Sequence, residues 1–83
     1  MARSDAEAAR LYRTAADQGN SEAQYNLGRL YEKGRGVEQD QVEAARFFKL
    51  SADQGYAPAQ SEWGDILRDG RGVVQNDTEA ARY

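Results

Sequence analysis

The groups able to do chemistry in this 83-residue chain are its 14 Asp and Glu, its 11 Lys and Arg, and two turns in which glycines flank an arginine, Gly34-Arg35-Gly36 and Gly70-Arg71-Gly72. Abundant carboxylates raise general acid–base catalysis, which needs two of them in one cleft with separated proton affinities. No spacing in the chain sets out such a pair. The chain has no His, the commonest general base and metal ligand, and no Cys, so thiolate nucleophiles, thiolate metal sites and disulfides are also excluded. The Gly-Arg-Gly turns raise phosphate binding, but a phosphate loop follows a strand and opens a helix at its last glycine. These turns follow helical pattern and lack both the third glycine and the Lys-Ser/Thr pair. Loop closure is their expected use, with Arg35 and Arg71 held by a salt bridge or by carbonyls of the preceding helix end. The chain thus offers no catalytic, cofactor-binding or metal-binding set.

What positions these groups is a repeat. Ala44-Ala45-Arg46 through Gln54-Gly55 echoes Ala8-Ala9-Arg10 through Gln18-Gly19, and the text resumes at Ala80-Ala81-Arg82. The offset is 44 − 8 = 36 and again 80 − 44 = 36. Self-similarity at a period of about 20–50 residues marks stacked supersecondary units. Ser4 with Glu7, Asp40 with Glu43 and Asn76 with Glu79 each have the spacing of a capping box, so three helices are expected to start by one device. Gly19 and Gly55 sit where helices end, and Pro58 sits at the start of the next helix, where its missing amide costs nothing. The predicted helices are 5–18, 21–33, 41–54 and 58–69. Joined by such tight turns, they must form antiparallel pairs.

The apolar spacing supplies the expected core. Ala8, Leu11, Tyr12 and Ala15 recur at three and four residues, as do Ala44, Phe47, Phe48 and Ser51. Ala23, Leu27 and Leu30 form a stripe that Gln24, Gly28 and Tyr31 widen; Ala59, Trp63 and Ile66, with Gln60, Gly64 and Leu67, repeat it. Trp63 reads as core rather than as part of an aromatic cage. Gly in a helix interior costs about 1 kcal/mol relative to Ala, so Gly28 and Gly64 predict close helix–helix approach. Val37 and Val73 are positioned to pin the inter-repeat loops to the core. The chain is accordingly read as one all-α superhelical module: repeat one over 4–39, repeat two over 40–75, and the start of a third repeat or a capping helix over 76–83.

A formal charge of −3 supplies no electrostatic reason to bind nucleic acid or an anionic membrane. No apolar run approaches the roughly 20 residues needed to span a bilayer, and the first residues lead into helical pattern without a signal-peptide core. Neither membrane insertion nor a particular compartment is indicated.

Ala-Asp-Gln-Gly, then Ala-Gln-x-x-x-Gly, Gly-Arg-Gly-Val and Glu-Ala-Ala-Arg together closely resemble the Sel1-like repeat family, a relative of the tetratricopeptide repeats. The likeness covers essentially the whole chain. It implies a right-handed α-α superhelix acting as an adaptor in protein–protein interaction, or, failing a partner, a structural spacer or cap within a longer repeat protein. A cysteine-rich branch of the family is linked to β-lactam binding and hydrolysis. This chain has no cysteine, and that activity is not carried over.

In stacked helix pairs the first helices line the concave side, the default recognition surface. Its expected residues are Arg10, Arg13, Thr14 and Asp17 in unit one, and Arg46, Lys49, Leu50 and Asp53 in unit two. They would suit a protein or peptide partner, with Leu50 as the apolar contact. The competing use is support within each helix, through pairs Glu7–Arg10, Glu43–Arg46, Arg13–Asp17 and Lys49–Asp53. Tyr25 and Asn26, replaced by Ser61 and Glu62, read as outer-surface variation. Because internal units bury a face on each neighbour, the ends of the array are also expected to support end-to-end self-association.

Overall fold

The computed structural model of this chain describes residues 4–70. They form four α-helices: α1 (Asp5–Asp17), α2 (Ser21–Lys33), α3 (Gln41–Asp53) and α4 (Ala57–Asp69). Equivalent helices start 36 residues apart, as 41 − 5 and 57 − 21 show. Among the described residues α1 packs on α2, α2 on α3 and α3 on α4, in the zigzag of a helical solenoid. The expected third helix start at Asn76–Glu79, together with Arg71 and Val73, lies outside the described residues.

Local chemistry places each boundary. The Ser4 hydroxyl accepts the Glu7 amide at 3.1 Å, and one Asp40 carboxylate oxygen accepts from Val42 and Glu43 at 3.0 and 3.1 Å. The returning half of the second capping box does not form, because the Glu43 carboxylate is taken by Arg46 instead. Asn20 caps α2 by accepting the Ala23 amide at 2.8 Å, a cap the repeat pattern did not single out. At the equivalent Tyr56 no side chain caps α4; the helix begins at Ala57, with Pro58 in its first turn.

The inter-repeat loop folds back on both of its neighbours. Asp40 donates its amide to the Tyr31 carbonyl at 3.0 Å, and the Gln39 side chain donates to the Glu32 carbonyl at 2.9 Å. Gly36 lies with φ +76° against the start of α1, where a Cβ would sit 2.2 Å from the Asp5 carbonyl oxygen. Only a glycine fits there, on grounds of both backbone conformation and space. Arg35 then pairs with Asp5 at 3.2 Å, so its partner is the first residue of α1 rather than a carbonyl at the end of α2.

Two apolar clusters make up the interior. One joins Ala16, Ala23, Leu27 and Phe47; the other joins Ala44, Ala45, Phe48, Ala52, Ala59, Trp63, Ile66 and Leu67. The predicted close approach is present at Gly28, where a Cβ would meet the Phe48 ring at 3.1 Å and the Ala44 carbonyl oxygen at 3.3 Å. Trp63 is buried as expected, 4% exposed, although its indole N–H finds no acceptor among the described residues. The expected face of α1 is corrected: Ala9 and Ala16 are its buried residues, whereas Leu11 is 46% exposed. Phe47, the Leu11 equivalent, is covered because α2 packs on α3 from the preceding unit.

Candidate partner-binding surface

Helix α3 supports the most complete stretch of the predicted surface. At 100° per residue, Val42, Arg46, Lys49, Leu50 and Asp53 fall on one stripe, opposite the side that is packed on α2 and α4. All five are exposed. Leu50 is 40% exposed and Val42, which the sequence reading did not include, is 62% exposed. Apolar side chains thus lie on both sides of Arg46 and Lys49, with Asp53 following Leu50. The signal for Val42 was present in the repeat, since its equivalent in unit one is Ala6, just as Thr14 is the equivalent of Leu50.

The charges on this strip are largely paired within the helix. Arg46 donates to the two oxygens of Glu43 at 3.1 and 3.0 Å, and Lys49 meets Asp53 at 3.0 Å. The hydrogen bonds from Arg46 hold the Glu43 carboxyl below the ordinary carboxylate value, and the same bonds raise Arg46. Planar two-point pairing leaves the faces of the guanidinium available for stacking. Arg46 uses one of them, with its guanidinium carbon 4.4 Å from the Phe47 ring centroid.

On α1, Arg10, Thr14 and Asp17 are exposed, and the Thr14 hydroxyl donates to the Arg10 carbonyl at 3.1 Å. Arg13 departs from its expected role. Instead of pairing with Asp17 it donates to the Tyr31 hydroxyl, and its guanidinium lies 5.7 Å from the Tyr31 centroid and 5.9 Å from that of Phe47. Tyr31 and Phe47 are themselves stacked, 5.8 Å apart and 9° from parallel. Arg13 therefore ties α1 to the seam between units. The structure brings Arg13 and Arg46 to the same ring, so the α1 and α3 strips meet at Phe47.

Two further seam contacts went unrecognised in the sequence. Tyr25, read there as outer surface, is half-buried between units, its ring centroid 5.6 Å from that of Phe48 and 5.5 Å from that of Tyr56. Gln24 is buried; it donates to the Ala16 carbonyl at 3.3 Å and accepts from Gln54 at 2.8 Å. Its repeat-two equivalent Gln60 makes the same bond to Ala52, also at 3.3 Å. The recurrence of Ala-Gln at a 36-residue interval was the available sign of this bond, but glutamine on an apolar stripe does not disclose which carbonyl it meets.

Among the described residues no three His, Cys, Asp or Glu side chains are grouped so as to hold a metal ion, and no helix is long and apolar enough to cross a membrane. The surface offered is a shallow one on stacked helix pairs. This defines the class: an α-α repeat solenoid.

The chain belongs to the Sel1 repeat family, whose pattern matches residues 1–20, 21–56 and 57–83. The middle match spans one full 36-residue period. A Sel1 repeat protein from Oxalobacter formigenes has a similar structure, with a TM-score of 0.96 and 35% identity over 99% of this chain and 34% of that one. Also similar is c5321, a protective antigen of uropathogenic Escherichia coli strains displaying an SLR fold, with a TM-score of 0.92 and 37% identity over 95% of this chain and 17% of that one. The chain therefore spans well under half the length of these relatives. Comparison with curated proteins gave no match. Sel1 repeat proteins are generally protein–protein interaction modules, and the fold is typically non-enzymatic.

Proposed function

We propose that this chain is a non-enzymatic adaptor that receives a peptide segment of a protein partner along the first helices of its units, with the α3 strip as the principal contact. The observation that carries this reading is the pair of exposed apolar side chains, Val42 and Leu50, bracketing Arg46 and Lys49 on one helix face, with Asp53 just beyond. Scattered apolar residues are ordinary on a surface, but here two stand on one stripe where unit one has Ala6 and Thr14. A peptide with small apolar anchors and carboxylates of its own would match the strip. Arg10, Thr14 and Asp17 extend it across α1, and Arg13 acts through the seam it holds.

The test is affinity capture from source-cell lysate with the wild-type chain and a Val42→Glu, Lys49→Glu, Leu50→Glu variant whose fold is checked by circular dichroism. Arg13 is left intact because its loss would disturb Tyr31. A protein retained by the wild type and lost by the variant supports the adaptor reading, and direct binding of the purified protein establishes it. Identical capture by both moves the contact elsewhere, while no specific capture favours a spacer role.

A second reading is carried by Leu11. Its exposed side chain, with half-buried Ala8, Tyr12 and Ala15, forms the face equivalent to the one α3 buries against α2. We infer that this face can receive another repeat, including one from a second copy packed end to end. Such association is apolar and is strengthened by salt; Leu11→Glu abolishes it.

A further inference from the structure

The outer edge of α2 carries a feature that the peptide surface does not use. Tyr12, Asn26, Arg29, Leu30, Lys33 and Arg35 line a half-open cleft of about 190 Å³ where α1, α2 and the turn at 34–36 meet. Arg35 is paired with Asp5, and Arg29 lies 5.9 Å from the Tyr25 ring centroid. Neither Arg29 nor Lys33 has a carboxylate partner among the described residues. Two cations free to take an anion thus stand beside a third, around the half-buried side chains of Tyr12 and Leu30.

The repeat supplies an independent observation. Residues needed by the solenoid recur 36 positions later, as Ala23 and Ala59, Gln24 and Gln60, and Gly28 and Gly64 do. Along this edge the charged residues instead reverse their sign, and a neutral one becomes acidic. Asn26 becomes Glu62, Arg29 becomes Asp65, Lys33 becomes Asp69, and Glu32 becomes Arg68. Equivalent positions of successive units lie on the same side of a solenoid. One chain therefore presents a basic edge on α2 and an acidic edge on α4, one repeat apart and on one side.

We propose that the α1–α2 cleft is a carboxylate-recognition site and that its occupant is the acidic α4 edge of a second copy of this chain. In an antiparallel pair with a two-fold axis between the units, α2 of each copy meets α4 of the other. Both edges of both copies are then used, and the assembly closes at two. Arg29 and Lys33 face Asp65 and Asp69 of the second copy, while Glu32 and Arg68 are matched by the same operation. Asp65 is bonded to Arg68 within its own helix, but that pair is solvent-exposed, so the carboxylate remains open to a second cation.

Sedimentation velocity tests this on the full chain and on two variants, Arg29→Asp with Lys33→Asp, whose two edges are both acidic, and Asp65→Arg with Asp69→Lys, whose two edges are both basic. Circular dichroism checks that each is folded. The wild type should dimerise reversibly, and raising salt from about 50 to about 500 mM should weaken it. Each variant alone should self-associate about tenfold less, matching the loss of a few exposed ion pairs. The two variants mixed in equal amounts should recover a dimer with one copy of each. A wild type that stays monomeric at low salt, or a mixture that stays monomeric, overturns the proposal. So does a dimer that salt strengthens and Leu11→Glu removes, since that result identifies end-to-end association.

Discussion

Phe47 and Leu11 hold the same place in successive units, yet Phe47 is 3% exposed and Leu11 is 46% exposed. Both stand at helical spacing from the alanines around them, and both helices are 13 residues long with the same N-terminal start device. The difference is a neighbour. Helix α3 is enclosed by α2 on one side and α4 on the other, while α1 among the described helices packs mainly on α2 and reaches α3 only around Phe47. In a solenoid, burial belongs to the interface between units and is not a property of the unit itself. The same contrast separates Tyr25, drawn into the seam by Phe48 and Tyr56, from the surface role its variability suggested.

The comparison can be broken hardest at the loop that joins the units. Gly36→Ala should destabilise the chain by at least about 3 kcal/mol, because a Cβ must displace the Asp5 backbone in addition to accepting a left-handed conformation. Gly55→Ala, with φ +89° but open space around it, should cost only about 1–2 kcal/mol. Chemical denaturation of the two variants checks the difference, and equal losses would show that the Asp5 contact is not maintained in solution.

Core truncation sharpens the contrast between units. Phe47→Ala should cost about 3–5 kcal/mol, and Leu11→Ala less than about 1 kcal/mol, because the Leu11 side chain is already half in water. Comparable melting-temperature shifts would mean that Leu11 is covered in solution. Trp63→Ala belongs with Phe47, at about 3–5 kcal/mol. Trp63→Phe should recover most of that loss, since it removes an indole N–H that has no acceptor among the described residues.

The smallest effect concerns Glu43. Its pKa is lowered in the folded chain, so its contribution is present above the ordinary carboxylate value and disappears as pH falls through the lower folded value. The pair with Arg46 is exposed, which limits it to roughly 0.2–0.5 kcal/mol. Glu43→Gln should remove that increment at neutral pH and flatten the acid side of the stability profile. An unchanged acid limb would assign the pH dependence to other carboxylates.

Much of the architecture was legible because helices announce themselves locally. Ser4 and Asp40 bond amides two or three residues away, Gly19 and Gly55 end helices within a turn, and the 36-residue spacing repeats all of it. The candidate surface was legible in position but not in use. Arg10, Thr14, Asp17, Lys49, Leu50 and Asp53 are exposed where the helical wheel placed them, whereas Arg13 could pair four residues along or reach Tyr31, 18 residues away, and only the fold selects the latter.

The sequence by itself determined helix boundaries, antiparallel pairing, the period and the absence of Cys and His chemistry, since each rests on residue type and on contacts within a turn or two of helix. Tertiary structure decided that Gly36 must clear the Asp5 backbone, that Gln24 reaches the Ala16 carbonyl, that Tyr25 and Arg13 enter the seam, and that Leu11 stays exposed. Those outcomes depend on which surfaces meet when units stack, and a repeating pattern specifies what each unit offers without specifying which neighbour covers it.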